Sequence, residues 1–191
     1  MRKIVKKKSF KYIVVFLLQF TILIAMTIQP IMTSVLGTEI LIKTQPFDPR
    51  DVFRGDYVQL SYEINDIPLN LLDEEVLKLR KGKEEFSAFE DLFGKDLYVI
   101  LKKEDKFYSV DKVTLEKPRE GVFLKGKHAY SIWDETKQGS VTGIRVEYTL
   151  DKYFVPENTG KDLEEAARKG EVVAKVKIYK GYSLLKEILP M

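Results

Sequence analysis

The feature that most constrains this chain is a stretch near its N-terminus without a single charged residue, from Tyr12 to Leu36. A helix needs about 20 mostly apolar residues to cross a bilayer, so this stretch is long enough. Proline breaks the hydrogen-bond ladder of a helix, so Pro30 predicts a kink or an end there. We therefore predict a transmembrane anchor over residues 12–36.

The basic residues before the stretch set its predicted orientation, because lysine and arginine favour the cytoplasmic side of a membrane helix. This predicts a cytoplasmic basic tail at residues 1–11 and an extracytoplasmic domain at residues 37–191, in a protein of the cell membrane. A cleaved signal peptide and a buried core helix are the alternatives. The apolar run exceeds a signal core of about 7–15 residues, and no clear A-x-A cleavage site follows.

The net charge of +3 hides an asymmetry along the chain. Six of the 32 basic residues lie in the first eleven positions, whereas the 29 acidic residues begin at Glu39 and face only 26 basic ones. The basic balance thus belongs to the tail and does not indicate a nucleic-acid partner. The chain has no cysteine, which excludes disulfides and thiol catalysis.

Residues beyond the anchor read mainly as strands. The clearest alternation places Val58, Leu60, Tyr62 and Ile64 on one face and polar residues such as Asn65 on the other, which predicts a half-buried strand. Further strands are predicted at GTEILIKTQP, DLYVILKK, KFYSVDKVTL, GVFLKGKHAY, GIRVEYTLDKYFV, EVVAKVKIYK and YSLLKEIL. Short runs separated by Gly, Pro and charged turns predict a mainly β (α+β) fold with antiparallel pairing, as a sandwich, barrel or curled sheet.

Two helices complete the expected fold. A short one is predicted in PLNLLDEEVLKLRKG. A better-marked one lies in PENTGKDLEEAARKGE, where Asn158 or Thr159 caps the start, Arg168 suits the last turn and Gly170 ends the helix.

The tripeptide Arg54-Gly55-Asp56 occurs in many cell-adhesion ligands. Here it lies at a loop-to-strand boundary, where glycine supplies backbone freedom and aspartate bonds nearby amides. Three-residue matches also arise easily by chance. We interpret the tripeptide as the structural entry to a strand.

Three segments together resemble a known family. GDYVQLSY, residues 55–62, matches the pattern G-D-Y-x-x-L-x-Y, and PFDPRDVFR and YFVPENTGKDLEEAARKGE resemble flanking parts of the same family. The resemblance implies a membrane-anchored bacterial protein, often encoded beside a polytopic membrane protein, with no established biochemical activity.

The candidate site is a polar cluster around this motif that either locks loops together or recognises a charged partner, since arginine and carboxylate form rigid forks. Arg145 and Arg168 could join it if the later segments pack nearby. The candidate residues are Asp48, Arg50, Arg54, Gly55, Asp56, Tyr57, Leu60, Tyr62 and Glu157.

No catalytic residue, cofactor or metal ligand is predicted. His128 is the one histidine, and no nucleophile elbow, P-loop or Rossmann fingerprint is present. The acidic pairs, such as Asp66 with Asp73, do not form a calcium loop. A signal-peptidase-like hydrolase would need Thr44 with a buried Lys102 or Lys103.

We therefore predict a non-catalytic accessory or partner-binding subunit of the bacterial cell envelope. Its expected partners are the membrane and a polytopic membrane protein. The alternatives are an envelope hydrolase and a small-ligand or glycan-binding module, the latter resting on Tyr57, Tyr130 and Trp133.

Overall fold

The N-terminal stretch forms one long helix. The computed structural model of the protein describes residues 2–46, 57–80, 88–134, 140–154 and 161–191. Helix α1 runs from Arg2 to Leu36 and passes through Pro30, so of the two predicted effects, a kink or an end, the helix does not end there. Proline removes only one backbone donor, which a long helix tolerates. Within the described residues, Phe10–Leu36 is the one helical segment long and apolar enough to cross a membrane.

The described residues after Leu36 form ten strands, and every pairing between them is antiparallel. This confirms the predicted mainly β fold. The strands are β1 (Thr38–Lys43), β2 (Tyr57–Gln59), β3 (Asp66–Pro68), β4 (Asp96–Glu104), β5 (Phe107–Thr114), β6 (Val122–Asp134), β7 (Ser140–Glu147), β8 (Lys152–Phe154), β9 (Val172–Tyr179) and β10 (Tyr182–Pro190).

The strands are arranged in three sheets around one core. Five form a sheet in the order β3-β7-β6-β4-β5, three form β1-β9-β10, and β2 pairs with β8. The backbone amide of Lys125 on β6 donates to the Gly181 carbonyl before β10, at 3.0 Å, which joins the two larger sheets. Apolar residues of both sheets, including Ile42, Val99 and Ile144, are fully buried in a single cluster.

The segment after β2 departs from the predicted strand. Regular pairing stops at Gln59, and Glu63–Asn65 forms a turn of 3₁₀ helix. The Asn65 side chain accepts a hydrogen bond from the Tyr62 amide, at 2.6 Å, and donates one to the Val146 carbonyl, at 2.7 Å. When an asparagine side chain accepts a hydrogen bond from a nearby backbone amide, that amide cannot donate to a neighbouring strand. The predicted outward face is therefore wrong for Asn65, which is 6% exposed.

Two short helices pack beside the sheets, as predicted. Helix α2 (Glu74–Lys78) begins after Asp73, whose side chain accepts from the Glu74 amide at 2.7 Å. Helix α3 (Lys161–Arg168) is followed by Gly170, which adopts a left-handed φ of 71° and donates to the Ala167 carbonyl. Gly170 thus ends the helix as expected. The candidate caps Asn158 and Thr159 lie outside the described residues.

Candidate functional site

An open cleft of about 390 Å³ lies beside the family-like motif. Leu60 and Tyr62 of that motif form part of its wall, and the neighbouring strands β6 and β7 supply Tyr130 and Arg145. The short β2 strand and the 3₁₀ turn after it bring the motif against β7, because Asn65 is tied to the Val146 carbonyl. The hydrogen bond from Asn65 to β7 therefore positions the wall of the cleft.

A network of four polar side chains underlies the cleft. The Arg145 guanidinium donates from Nη1 to Asp66 Oδ1, at 2.7 Å, and from Nη2 to Ser61 Oγ, at 2.6 Å. Gln45 Nε2 donates to the same Ser61 hydroxyl and to Asp66 Oδ2, both at 2.9 Å. These side chains come from four separate segments, and Arg145 is only 14% exposed. The network therefore locks the loops around the motif to β7.

Two buried tyrosines brace the same region. The Tyr62 hydroxyl donates to the Leu150 carbonyl, and the Tyr148 hydroxyl donates to the Ile64 carbonyl, each at 2.7 Å. Burial raises the pKa of both phenols above the ordinary value, and Asp151 acts in the same direction on Tyr62. Both hydroxyls therefore stay protonated and serve as fixed donors to backbone carbonyls.

Among the described residues, the mouth of the cleft carries two exposed carboxylates and one half-exposed aromatic ring. Tyr130 is 50% exposed, and the Arg145 guanidinium lies 5.9 Å from its ring centroid. The pairing of β6 with β7 shifts register between His128 and Tyr130, and such a bulge re-aims the side chains that follow it. Glu147 and Asp151 are exposed on the lining. The mouth thus offers an aromatic surface flanked by two carboxylates.

The structure describes only part of the predicted site. Leu60 and Tyr62 are buried in the cleft wall, and Tyr57 pairs its backbone with Phe154. Arg145 pairs with Asp66, which was not a residue of the predicted cluster. The remaining candidates, Asp48, Arg50, Arg54, Gly55, Asp56 and Glu157, lie outside the described residues.

Several residues of the network beneath the cleft were not predicted as site residues. Ser61 and Asp66 accept hydrogen bonds from Arg145, and Gln45 donates to both of them. Arg145 is far from the other three in the sequence, so no local pattern marks them. The sequence signal that could have found this network is an acidic residue opposite Arg145 on a paired strand, because Asp66 lies directly opposite Arg145 where β3 pairs with β7.

The residues considered for metal binding and hydrolysis have other contacts. Asp66 pairs with Arg145 and Asp73 with Lys112, and the described residues contain no group of three potential metal ligands. The Thr44 hydroxyl is buried and donates to the Val172 carbonyl, at 2.7 Å. The Lys102 side chain is 50% exposed and pairs with Glu104, so it lacks the burial that a lysine base needs.

The aromatic residues considered for a glycan site are only partly brought together. Tyr130 lines the cleft, whereas Trp133 is not among its lining residues. The side chain of Tyr57 lies outside the described part of the chain.

Acidification is expected to destabilise the fold through His128, the one histidine of the chain. Its Nε2 is buried without a hydrogen-bond partner among the described residues, and burial lowers its pKa below the ordinary value. The unfolded chain therefore takes up the proton first, near pH 6.5, and stability falls as the pH drops below that value. Urea unfolding of the full chain in detergent at pH 7.5, 6.5 and 5.5 measures the effect.

A His128→Phe variant is the matched control for this pH dependence. It is expected to lose less stability than the wild-type chain between pH 7.5 and 5.5. Equal losses in the two chains would show that His128 does not set the dependence.

Replacing Arg145 with methionine is expected to cost about 1–3 kcal/mol of folding free energy, because Asp66 and Ser61 lose charge-assisted bonds at a largely covered position. Urea unfolding in detergent measures this cost. Arg119→Met, at an exposed loop residue, is the control and is expected to change stability by less than about 0.5 kcal/mol. A loss at Arg145 no larger than the control would contradict a locking role.

The fold and cleft define a class of protein with one membrane-capable N-terminal helix followed by an antiparallel β structure. Within that class, a family model described as GDYXXLXY protein matches residues 19–188, so the chain belongs to this family. Comparison with curated proteins and with solved structures gave no match. The matched range includes the motif at residues 55–62, strands β1 to β9, and β10 as far as Ile188.

Proposed function

We propose that the protein is a non-catalytic accessory subunit of the bacterial cell envelope that binds another membrane protein through the cleft at the family motif. The observation that carries this proposal is the position of Leu60 and Tyr62. These two motif residues form the wall of a cleft whose mouth holds Tyr130, Glu147 and Asp151.

The composition of the cleft suits a protein partner. Tyrosine and arginine contribute disproportionately to interface energies, and Tyr130 stands partly exposed above an Arg145 that the network below holds rigid. A preorganised surface loses little side-chain entropy on binding. Arg145 is neutralised by Asp66, so the exposed carboxylates of Glu147 and Asp151 favour a basic partner segment.

The proposed topology places this cleft outside the cytoplasm. Basic residues are concentrated before the span, and the charge-free stretch after them extends to Leu36. The positive-inside tendency then directs the chain after residue 37 to the outer side, where it meets extracytoplasmic loops of polytopic membrane proteins.

Site-specific photo-crosslinking in native membranes tests the proposal. A photoreactive phenylalanine at position 130 of the full chain is expected to capture one membrane protein. The same group at Phe107 is the control, because Phe107 lies on β5, two strands away from β6. Equal capture from both positions would contradict a specific site at the cleft.

A small-ligand module remains the rival, because the volume of the cleft falls within the range of small-molecule sites. That function predicts crosslinking at position 130 to a small molecule and not to a protein. Mass spectrometry of the crosslinked product separates the two outcomes.

A further inference from the structure

The end of the anchor helix is fixed directly to the sheet that follows it. A single residue, Gly37, separates α1 from β1, and its amide donates to the Thr33 carbonyl at 3.0 Å. A Cβ added to Gly37 would clash with that same carbonyl oxygen, so the close turn requires glycine. Thr33 is fully buried. No flexible linker therefore separates the helix from the sheet, and Ser34 in its last turn contacts strands β9 and β10.

Two lysines from those strands converge on one residue of the helix. Lys177 Nζ on β9 donates to the Ser34 carbonyl, at 2.7 Å, and Lys186 Nζ on β10 donates to the Ser34 hydroxyl, at 3.2 Å. The final carbonyls of a helix lack intrahelical partners and carry partial negative charge, which attracts cations. This partial negative charge explains one ammonium beside Ser34. The second ammonium lies close to the first and is repelled by it.

Neither ammonium is neutralised by a carboxylate within the described residues. Glu39 is the cross-strand neighbour of Lys177 on β1 but makes no ion pair with it, and Glu187 pairs with Lys175 at 3.1 Å. An ammonium has three donors, and each of these lysines places one on Ser34. The pair therefore keeps donors and positive charge for an anion.

The burial profile of α1 places this pair at the level of lipid headgroups. Every residue from Tyr12 to Gln29 is exposed, whereas from Pro30 onward the protein covers residues such as Thr33 and leaves Ile31, Val35 and Leu36 exposed. At 1.5 Å per residue the exposed part spans about 27 Å, close to the hydrocarbon thickness of about 30 Å. Ser34 lies about 7 Å further along the axis, and the headgroup layer extends about 5–7 Å beyond the hydrocarbon on each side.

We propose that Lys177 and Lys186 together bind the phosphate of an anionic phospholipid beside the end of the anchor helix. The phosphate oxygens accept the free ammonium donors and relieve the repulsion between the two lysines. The lipid thereby holds the β sheets in one orientation on the membrane surface. This inference requires only that α1 crosses a bilayer and does not depend on partner binding at the cleft.

Lipid selectivity of the reconstituted full chain tests the proposal. The chain is placed in vesicles of phosphatidylcholine and phosphatidylglycerol at a 4:1 ratio, and its relative association with spin-labelled forms of the two lipids is measured. Each lysine near an anionic surface contributes about fivefold in affinity. Lys177→Gln is expected to lower the preference for phosphatidylglycerol about fivefold, and the double variant with Lys186→Gln to lower it further.

Matched variants separate the lysine pair from the general effect of surface charge. Lys175→Gln with Lys180→Gln removes the same charge from β9 and the turn after it, and the preference is expected to stay within twofold of wild type. Lys177→Arg with Lys186→Arg keeps the charge and is expected to keep the preference. Unchanged selectivity in the Lys177/Lys186 glutamine variant, or an equal loss in the Lys175/Lys180 control, would overturn the proposal.

Two further readouts identify the source of the phosphate and the state of the anchor. Inorganic phosphate at millimolar concentration is expected not to displace the spin-labelled lipid, and displacement would show a site for free phosphate instead. Flotation of the vesicles reports insertion of α1. A chain that floats without lipid selectivity contradicts the lysine site alone, whereas a chain that fails to float contradicts the anchor as well.

Discussion

Replacing Tyr62 with alanine is expected to destabilise the β structure by about 3–5 kcal/mol, the largest effect of any single change considered for this chain. Tyr62 is 1% exposed, and its ring fills the core beneath the cleft while its hydroxyl donates to the Leu150 carbonyl. Alanine removes the ring and leaves a cavity. It also leaves the buried Leu150 carbonyl without this hydrogen bond. Urea unfolding of the full chain in detergent, followed by far-ultraviolet circular dichroism, measures the loss.

One companion variant shows which part of Tyr62 matters, and a control removes a tyrosine ring from a half-exposed position. Tyr62→Phe keeps the ring and removes only the hydrogen bond to Leu150, so a smaller loss of about 1–2 kcal/mol is expected. Tyr130→Ala removes a half-exposed ring from the cleft mouth and is expected to cost less than about 1 kcal/mol. If Tyr62→Ala proved no more costly than Tyr130→Ala, the motif tyrosine would not be part of the core.

Replacing Asn65 with alanine is expected to cost about 2–5 kcal/mol, which is large for a short polar side chain. The change leaves two buried backbone groups without partners, namely the Tyr62 amide and the Val146 carbonyl. An unsatisfied buried donor or acceptor costs about 1–3 kcal/mol. The same urea titration in detergent measures the effect.

Asn70 supplies the matched control for Asn65. It is exposed in the neighbouring turn of 3₁₀ helix, so Asn70→Ala is expected to change stability by less than about 0.5 kcal/mol. Similar losses at the two asparagines would contradict the role of Asn65 as a bridge between the motif segment and β7.

The elements that follow from local chemistry were predictable from the sequence. The charge-free stretch predicts the long helix, and alternating apolar residues predict most strands of the two larger sheets. Gly170 ends α3 because the left-handed backbone there favours glycine. Burial of Val58 and Ile64 also followed from their spacing.

The elements that depend on distant partners were not predictable in this way. Alternation placed Asn65 and Ser61 on a solvent face, yet both are buried because Val146 and Arg145 on β7 supply their hydrogen-bond partners. Periodicity records where apolar side chains point and carries no information about which buried polar groups find partners. The exposure of Tyr130 likewise follows a register shift between β6 and β7 that the sequence does not mark.

The cleft and the lysine pair have separate proposed roles in the molecule. The lysines on β9 and β10 hold the end of the anchor, so the sheets keep a fixed position relative to the helix. Under the proposed function, the cleft between the motif and strands β6 and β7 would then present Tyr130, Glu147 and Asp151 at a fixed distance from the membrane. A partner in the same membrane would bind this surface with little loss of orientational freedom.

The most direct test of the proposed function is the amount of partner that co-purifies with the full chain from native membranes after charge reversal at the cleft. Glu147→Lys is compared with Asp111→Lys, an equal change at an exposed position on β5. Like charges across an interface cost several kcal/mol, so Glu147→Lys is expected to lower the captured partner at least tenfold while Asp111→Lys stays within twofold of wild type. Equal capture by the two variants, or no protein partner from the wild-type chain, would contradict a partner-binding role for the cleft.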